Sequence, residues 1–440
     1  MQKQLANGLI LRTLSEGHAS DRERLPQFHA DINGEGETPE AKNAFIHWVR
    51  DLINTHPTMT HDDFFVVVDP AKDDMIAAAT LLIPHRWRYE DIPLVVGRPE
   101  LVATHPDYRK RGLVRTLFEA VHERSAALGQ QMQVITGIPY FYRQFGYTMA
   151  VDLGQHASYP LDVMADAPPD TKSAFTLRPA TPEDIPNMIR WYDRMSRERL
   201  LSENRSVEEW RYEIMGRDPN SGQVMDYQMI VNAAGQAVGY LDMFGFRWDK
   251  YMINCNCYVV GEEANYLETF DDVIRALKQW AQAKFGERPP LLSFAGGLHP
   301  SVDALIDRTH GGHIHTREYM WYVRVPEMIP FLQHIQPVLE RRLVDSGAHG
   351  YSGELKIGFY DLTGISFKFE RGRITTIEAT QGKDGYDISF PWNLFWNVVF
   401  GQHNSDEIRA ILPEVGASGK GKVLIDILFP KKKSWLKGVN

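Results

Sequence analysis

A basic turn between a predicted strand and a predicted helix is the part of the sequence best suited to bind an anion. The strand covers residues 99–104, the turn is RKRG at 109–112, and the helix covers 113–128. The first N–H groups of a helix attract negative charge, and Gly112 lets a ligand approach the backbone closely. Positive charge is supplied by Lys110, Arg111 and Arg115. The pattern predicts a pyrophosphate site; the alternative is a solvent-exposed basic first turn.

The elements that would position this turn alternate between strands and helices. In the first region we predict strands at 9–14, 64–68, 75–83, 99–104 and 133–136, helices at 40–54 and 113–128, and loops at 21–39 and 85–93. Residues 155–174 are polar and contain three prolines, which indicates a linker.

A similar order of elements follows the linker and indicates a divergent internal repeat. We predict strands at 175–178, 227–231, 237–244, 253–260 and 318–325, with helices starting near Thr181 and at 267–285. A third region is predicted as α+β, with a helix at 328–343 and strands at 355–361, 365–370, 374–379 and 423–429.

Two sequence segments resemble known acetyltransferases. Arg109-x-x-Gly112 after the strand resembles the acyl-coenzyme-A loop of GNAT-type N-acetyltransferases, Arg/Gln-x-x-Gly-x-Gly/Ala, although Val114 stands where a small residue is usual. Together, THPDYRKRGLVRTL and GIPYFYRQFGY (137–147) closely resemble the first domain of the enhanced intracellular survival (Eis) family. The chain also resembles that family in its length and in the order of its regions.

The resemblance implies a mixed α+β and α/β fold with two GNAT-like domains in tandem, followed by a sterol-carrier-protein-like α+β domain. The catalytic GNAT domain would cover 1–157, the second and degenerate GNAT-like domain 175–325, and the third domain 326–440. It further implies acetyl-CoA as cosubstrate, no metal, and a homo-oligomer, specifically a hexamer.

The resemblance also implies roles for individual residues. Tyr142 matches the general acid of the family, and a phenol with a pKa of about 10 can protonate a thiolate with a pKa of about 8.5; the alternative is a core aromatic. The pantetheine arm would pair with the backbone of Val102, Ala103 and Thr104. The pyrophosphate would be held by Lys110, Arg111, Gly112, Leu113, Val114 and Arg115, and the acetyl end would lie beside Gly137 and Ile138.

The cysteines bear on the reaction route. Cys255 and Cys257 lie two apart on a predicted strand, so we expect two reduced thiols on one side of it. Neither lies in the motif region, which favours direct attack of an amine over an acyl-cysteine intermediate. In the family a C-terminal carboxylate on an aromatic residue acts as base; this chain has Asn440 there, and a buried acid or His122 are the alternatives.

The charge balance limits the classes of partner. The chain has 48 Lys and Arg against 57 Asp and Glu, a net charge of −9, which disfavours nucleic acid and favours a cationic substrate. The sequence has no run of 18 apolar residues and no signal-peptide core, so we expect no membrane span and a cytoplasmic protein.

Other candidate sites are weaker. The strand at 253–260 is followed by Gly261-Glu262-Glu263, whose acids would repel a pyrophosphate, so we expect no coenzyme in the second region. A histidine cluster could bind a metal, but we expect none because no acidic or cysteine ligand is evident nearby. Its members are His310, His313 and His315.

These observations predict an acetyl-CoA-dependent N-acetyltransferase acting on primary amines of the aminoglycoside, polyamine or lysine type. The rival hypotheses are a non-catalytic protein that binds an apolar ligand in the third region and a scaffold built on the GNAT-like folds.

Overall fold

The computed structural model describes residues 2–153, 156–161, 172–246, 248, 251–286, 291–295, 299–309, 314–315, 319–382 and 385–437. The first segment contains β1 (Gln2–Gln4), β2 (Ile10–Thr13), α1 (Ala19–Ile32), α2 (Pro39–Asn54), β3 (Phe64–Asp69), β4 (Met75–Tyr89), β5 (Ile92–Thr104), α3 (Leu113–Ala127), β6 (Met132–Ile135), β7 (Thr148–Asp152) and β8 (His156–Pro160).

The second segment contains β9 (Phe175–Pro179), α4 (Ile185–Ser196), β10 (Leu201–Glu203), α5 (Val207–Arg211), β11 (Met225–Asn232), β12 (Ala237–Phe244), β13 (Met252–Val260), α6 (Tyr266–Phe285), β14 (Leu291–Ala295), α7 (Pro300–Thr309), β15 (Ile314–His315) and β16 (Met320–Arg324). The third contains α8 (Met328–His334), α9 (Gln336–Val344), β17 (Gly353–Phe359), β18 (Thr363–Glu370), β19 (Arg373–Gln381), β20 (Ile388–Phe390), α10 (Trp392–Val399), α11 (Ser405–Ile411) and α12 (Gly419–Leu428).

The strands form three sheets in a mixed α/β fold. The first has the order β1-β2-β3-β4-β5-β6-β16-β7, with β10 paired to β4. The second has the order β15-β8-β14-β13-β12-β11-β9, and the third β19-β18-β17-β20. In the first two sheets, a run of antiparallel strands is followed by one parallel pair, β5 with β6 and β13 with β14. The chain therefore repeats one strand arrangement.

The first two sheets exchange a strand in each direction. Strand β8 leaves the first segment and lies between β14 and β15, while β16 returns from the second segment and lies between β6 and β7. The predicted boundary at residue 157 falls inside β8, and β16 precedes the predicted boundary at 325. The first sheet is thus completed by residues far away in sequence.

The first sheet has a core on each face. The run FFVVV in β3 is buried throughout, and its side chains alternate between the faces. Phe64, Val66 and Val68 pack with Trp48 and Leu52 of α2. On the opposite face, Phe65 and Val67 pack with apolar side chains of α3. This packing fixes the start of α3 against the sheet.

Two segments predicted as loops are regular structure. Residues 19–32 form α1, whose apolar stripe is incomplete because two of its inward positions are polar. Asp21 is buried in an ion pair with Arg12 at 2.8 Å, and His29 is also buried. Residues 85–93 form a β-hairpin in which Tyr89 pairs with Ile92.

The third region differs from its prediction at two points. The predicted strand 423–429 lies in α12, because the Ser418 hydroxyl accepts the N–H of Gly421 and starts a helix whose buried residues recur at helical spacing. These residues are Leu424, Ile425 and Leu428. The predicted helix 328–343 is divided at Ile335 into α8 and α9, with Pro337 in the first turn of α9.

The two thiols lie on opposite faces of the second sheet, so their predicted common orientation is wrong. Asp242 pairs with Cys257 and Met243 with Cys255, which leaves Asn256 as the extra residue of a β-bulge. The bulge reverses the alternation of side chains. Cys255 therefore packs on one side of the sheet and Cys257 on the other, and both are free and buried.

Candidate active site

Strand β5 carries a bulge where the pantetheine arm was predicted to pair. Ala79 pairs with Ala103 and Leu81 with Glu100, so two residues of β5 stand opposite Thr80. Leu101 has a positive φ of 52°, which is unusual for a residue with a side chain. The Thr80 hydroxyl donates to the Glu100 carbonyl at 2.9 Å. The bulge turns the end of β5 relative to its first half.

The parallel pairing of β5 with β6 is short. Among the described residues it consists of Val96 with Met132 and Gly97 with Gln133. Within the described residues, the last two residues of β6, Val134 and Ile135, pair with β16 and not with β5. Among the strands that the structure describes, none therefore pairs with β5 on the β6 side between the bulge and Thr104, so this edge can accept an extended ligand.

The start of α3 presents backbone donors at this edge. Gly112 caps the helix in a left-handed conformation with φ 76°, and Lys110 before it also has a positive φ of 63°. The first helical hydrogen bond here joins the Thr116 N–H to the Gly112 carbonyl at 3.2 Å. The N–H groups of residues 113–115 thus point out of the helix end, as in anion sites. A Cβ added to Gly112 would meet no atom within 4 Å.

The basic side chains around the turn have different neighbours. Arg111 donates to the Asp107 carbonyl at 2.8 Å, and its guanidinium lies 4.8 Å from the centre of the Tyr108 ring. Arg115 donates to Gln144 at 3.3 Å. Lys110 forms no ion pair with any other described residue and lines the cavity described next. The fit to a pyrophosphate therefore rests on the helix N–H groups, with Lys110 and Arg115 adding charge.

One cavity of about 800 Å³ brings most of the predicted residues together. The predicted residues that line it are Val102, Ala103, Thr104, Lys110, Gly112, Leu113, Val114, Arg115, Ile138 and Tyr142. Arg111 and Gly137 are not in its lining, although Gly137 lies beside Tyr142. Seven further lining residues were not predicted as site residues, although Arg109 belongs to the loop motif: Ile32, Asn33, Tyr108, Arg109, Phe141, Gln144 and Phe145. Phe141, Gln144 and Phe145 lie in the motif at 137–147. Asn33 was not predicted because helix α1, which it follows, was not predicted.

Tyr142 is buried and lines this cavity. It lies in a short helical turn, Phe141–Phe145, and its ring contacts Phe118 and Tyr322 with centroids 5.8 and 5.6 Å away. Burial, with a smaller contribution from the negative charge of Glu100, raises the pKa of Tyr142 well above its usual value. The phenol therefore keeps its proton at neutral pH. Tyr142 is thus a core aromatic that also lines the cavity, and its role as general acid stays a prediction.

Strand β16 and the residue before it hold the loop next to Tyr142. The Tyr319 hydroxyl donates to the Gly137 carbonyl, and the Tyr140 N–H donates to the Tyr322 hydroxyl. Tyr140 itself has a positive φ of 68°. Two tyrosines from the second segment thus position the loop beside the candidate proton donor.

Candidates for a general base differ in their surroundings. Asn440 lies outside the described residues. His122 shares a hydrogen bond of 3.0 Å with the Tyr147 hydroxyl, and burial lowers its pKa to about 4. Glu100 accepts from Arg98 at 2.6 Å and from the Leu101 N–H at 3.0 Å. Both groups already have partners, and neither lines the cavity.

The corresponding turn of the second segment is closed. Trp191 packs directly against Gly261, so the backbone there is covered by a side chain. At the start of α6, the Asn265 side chain accepts the N–H of Glu268 at 3.0 Å. The two acids after Gly261 are paired with arginines, as in the 2.6 Å pair of Arg190 with Glu263. The expectation that this segment binds no coenzyme stays a prediction.

The histidine cluster predicted as a possible metal site is only partly described. His310 and His313 lie outside the described residues. Within the described ranges, no group of three histidines, cysteines or carboxylates is arranged to hold a metal ion. No helix among them combines the length and apolar character needed to cross a membrane.

Residues 37–150 match the family of acetyltransferase (GNAT) domains. The matched range contains the start of α3, the bulged end of β5 and Tyr142. The prediction that the chain is an acetyltransferase is thereby confirmed. The sequence has no significant match among curated proteins.

The fold is also similar to solved structures over nearly the whole chain. A GCN5-related N-acetyltransferase from Anabaena variabilis ATCC 29413 has a TM-score of 0.65 at 11% identity, covering 97% of this chain and 99% of that chain. A GCN5-related N-acetyltransferase from Kribbella flavida has 0.60 at 14%, covering 97% of each. Eis1 from Mycobacterium abscessus has 0.56 at 14%, covering 98% and 100%. At these identities the similarity shows a common fold.

Proposed function

We propose that the chain transfers the acetyl group of acetyl-CoA to a primary amine of the aminoglycoside, polyamine or lysine type. The observation that carries this proposal is the single cavity that joins the N–H groups starting α3, the open edge of β5 and the Tyr142 side chain. The first feature suits a pyrophosphate, the second an extended amide-containing arm, and the third a proton transfer.

The proposed reaction is direct attack. The neutral amine nitrogen forms a bond to the thioester carbonyl carbon, and the carbon–sulfur bond breaks. Tyr142 supplies a proton to the departing sulfur, so coenzyme A leaves as the thiol. The attacking nitrogen gives up one proton to a base. Both thiols of the chain are buried in the second segment, which supports a route without an acyl-cysteine.

The carboxylate of Asn440 is the proposed base, by resemblance to the Eis family. The last described residues lead into the interior next to the first sheet: Trp435 donates its N–H to the Leu201 carbonyl at 2.8 Å. Lys437 forms a buried ion pair with Glu213 at 2.7 Å. A chain spans at most about 3.5 Å per residue, so three further residues reach about 10 Å from Lys437.

We also infer, from the resemblance alone, a sterol-carrier-protein-like third domain at 326–440 and a hexameric assembly. The cytoplasmic location is proposed from the sequence, which has no run of 18 apolar residues and no signal-peptide core. The aromatic segment of the third region forms α10 and packs inward. Its buried side chains include Phe395, Trp396, Val398, Val399 and Phe400. This packing favours a structural role for the segment over the rival hypothesis of an apolar-ligand site.

The deciding experiment is calorimetric titration of the full chain with acetyl-CoA, beside a thiol-release assay over a panel of aminoglycosides and polyamines. We expect about one site per chain and release of thiol with at least one amine. Absence of coenzyme binding would refute the proposal. Binding without thiol release on any amine would retain the coenzyme site and reject the acceptor class.

A further inference from the structure

Asn33 connects α1 to the open edge of β5. It is the residue that follows α1, and its side chain lines the cavity. Its Oδ1 lies 3.0 Å from Nδ1 of His29, and its Nδ2 donates to the Val102 carbonyl at 3.4 Å. The Asn33 side chain therefore spans from a buried histidine to the strand predicted to bind the pantetheine arm.

The surroundings fix which way the Asn33 amide points. His29 is fully buried, and burial lowers its pKa to about 4, so its ring is neutral. Because Nδ2 of Asn33 donates to Val102, its Oδ1 accepts, and the neutral ring must carry its proton on Nδ1. The Asn33 N–H also donates to the His29 carbonyl at 2.8 Å. Hydrogen bonds thus fix both the backbone and the side chain of Asn33.

This orientation leaves donor capacity on the cavity side. A primary amide nitrogen carries two hydrogens. The bond to Val102 is long for an N–H···O bond, whose usual range is about 2.7–3.2 Å. Within the described part of the chain, the second hydrogen of Asn33 has no other acceptor. A ligand lying along β5 between Val102 and Thr104 would pass this donor.

We propose that Asn33 is a positioning residue for the coenzyme, donating a hydrogen bond to an amide carbonyl of the pantetheine arm. This inference rests on the proposed function. The pantetheine arm contains two amide groups, and amides that leave water need replacement partners. Asn33 faces the strand from α1, opposite the helix that would hold the pyrophosphate. It would thereby strengthen binding of the pantetheine arm without taking part in the chemistry.

The test compares Asn33→Asp and Asn33→Ala in the full chain. Aspartate keeps the shape and still accepts from His29 but cannot donate; alanine removes the group without adding charge. We expect a three- to tenfold rise in the Kd and KM for acetyl-CoA, the size of one neutral hydrogen bond. The kcat should change less than twofold. The matched control is Asn54→Asp, which adds the same charge at the exposed end of α2.

A second probe locates the effect along the coenzyme. Adenosine 3′,5′-bisphosphate carries phosphates but no pantetheine arm, so its inhibition constant against acetyl-CoA should be unchanged in both Asn33 variants. Wild-type affinity for acetyl-CoA in both variants would overturn the inference, as would an equal loss for the bisphosphate. If the wild-type chain binds no acetyl-CoA, the proposed function itself fails, which is a distinct result.

Discussion

The backbone N–H of Tyr140 donates a hydrogen bond to the hydroxyl of Tyr322, a residue 182 positions further along the chain. Tyr140 belongs to the loop before Tyr142, and Tyr322 belongs to β16 of the second segment. The candidate active site is therefore completed by a strand that the first segment does not contain.

Residues 1–157 alone should not form a stable domain. Without β16, the strands β6 and β7 lose the partner that lies between them, and buried residues of the first sheet become exposed. We expect no cooperative unfolding transition and no coenzyme binding, as measured by denaturant titration and calorimetry. Cooperative unfolding together with full-chain affinity for acetyl-CoA would contradict this expectation.

Replacing Tyr142 with phenylalanine should affect turnover and spare binding. General acid catalysis contributes about 10²-fold or more, so kcat should fall by about that factor. The Kd for acetyl-CoA should stay within twofold, because only a hydroxyl is removed. Steady-state kinetics and calorimetry measure the two quantities. Tyr140→Phe is the control, since Tyr140 is 75% exposed; an unchanged kcat in Tyr142→Phe would exclude the acid role.

Gly112→Glu should abolish coenzyme binding. The added side chain meets no protein atom at its Cβ, so the main effects are backbone strain of about 1–2 kcal/mol and a carboxylate at the anion site. Gly235 provides the matched control, because it has a similar φ of 79° and equally open space in the second segment. Gly235→Glu should keep wild-type affinity. An equal loss of coenzyme affinity in the two variants would indicate impaired folding as the cause, and not the added charge at Gly112.

Acid should destabilise the fold below about pH 6.5. The native state holds His29 neutral with a pKa of about 4, whereas the unfolded chain binds a proton near its ordinary pKa of about 6.5. The free energy of unfolding should therefore fall as the pH drops from 6.5 towards 4, by up to about 1.4 kcal/mol per pH unit for this group. Urea titrations at several pH values measure the slope. In His29→Gln the free energy of unfolding should depend less steeply on pH. An identical slope in this variant would exclude His29 as a cause of the pH dependence.

Removal of residues 438–440 tests the proposed base. The deletion leaves the ion pair of Lys437 in place, so stability and coenzyme affinity should be kept while kcat falls by about 10²-fold. Asn440→Ala keeps a terminal carboxylate at the same position and should remain active. Full activity of the deleted chain would assign the base elsewhere.

Local patterns in the sequence predict much of the first segment. The strand, basic turn and helix around Gly112 are consecutive in the chain, and their conformations follow from residue preferences over about 25 residues. The same holds for the motif around Tyr142, which turned out to line the same cavity. Such features need no information about distant residues, and for that reason the cavity wall formed by β5 and α3 was predictable.

Distant contacts decided the remaining features. Helix α1 forms although two of its inward positions are polar, because Asp21 forms an ion pair with Arg12 of β2 and His29 is buried by packing. The bulge at Asn256 moves Cys257 to the other face, and nothing in the alternation of residues marks it.

The exchange of β8 and β16 depends on strand pairing between segments that are far apart in sequence. Such pairing produces no periodic pattern of residues in either segment. The sequence by itself predicted the candidate anion-binding turn and the candidate acid, and it determined the acetyltransferase class. Only the tertiary structure placed Asn33, Tyr319 and Tyr322 at the site, because the energies of strand pairing and burial depend on residues that local patterns do not bring together.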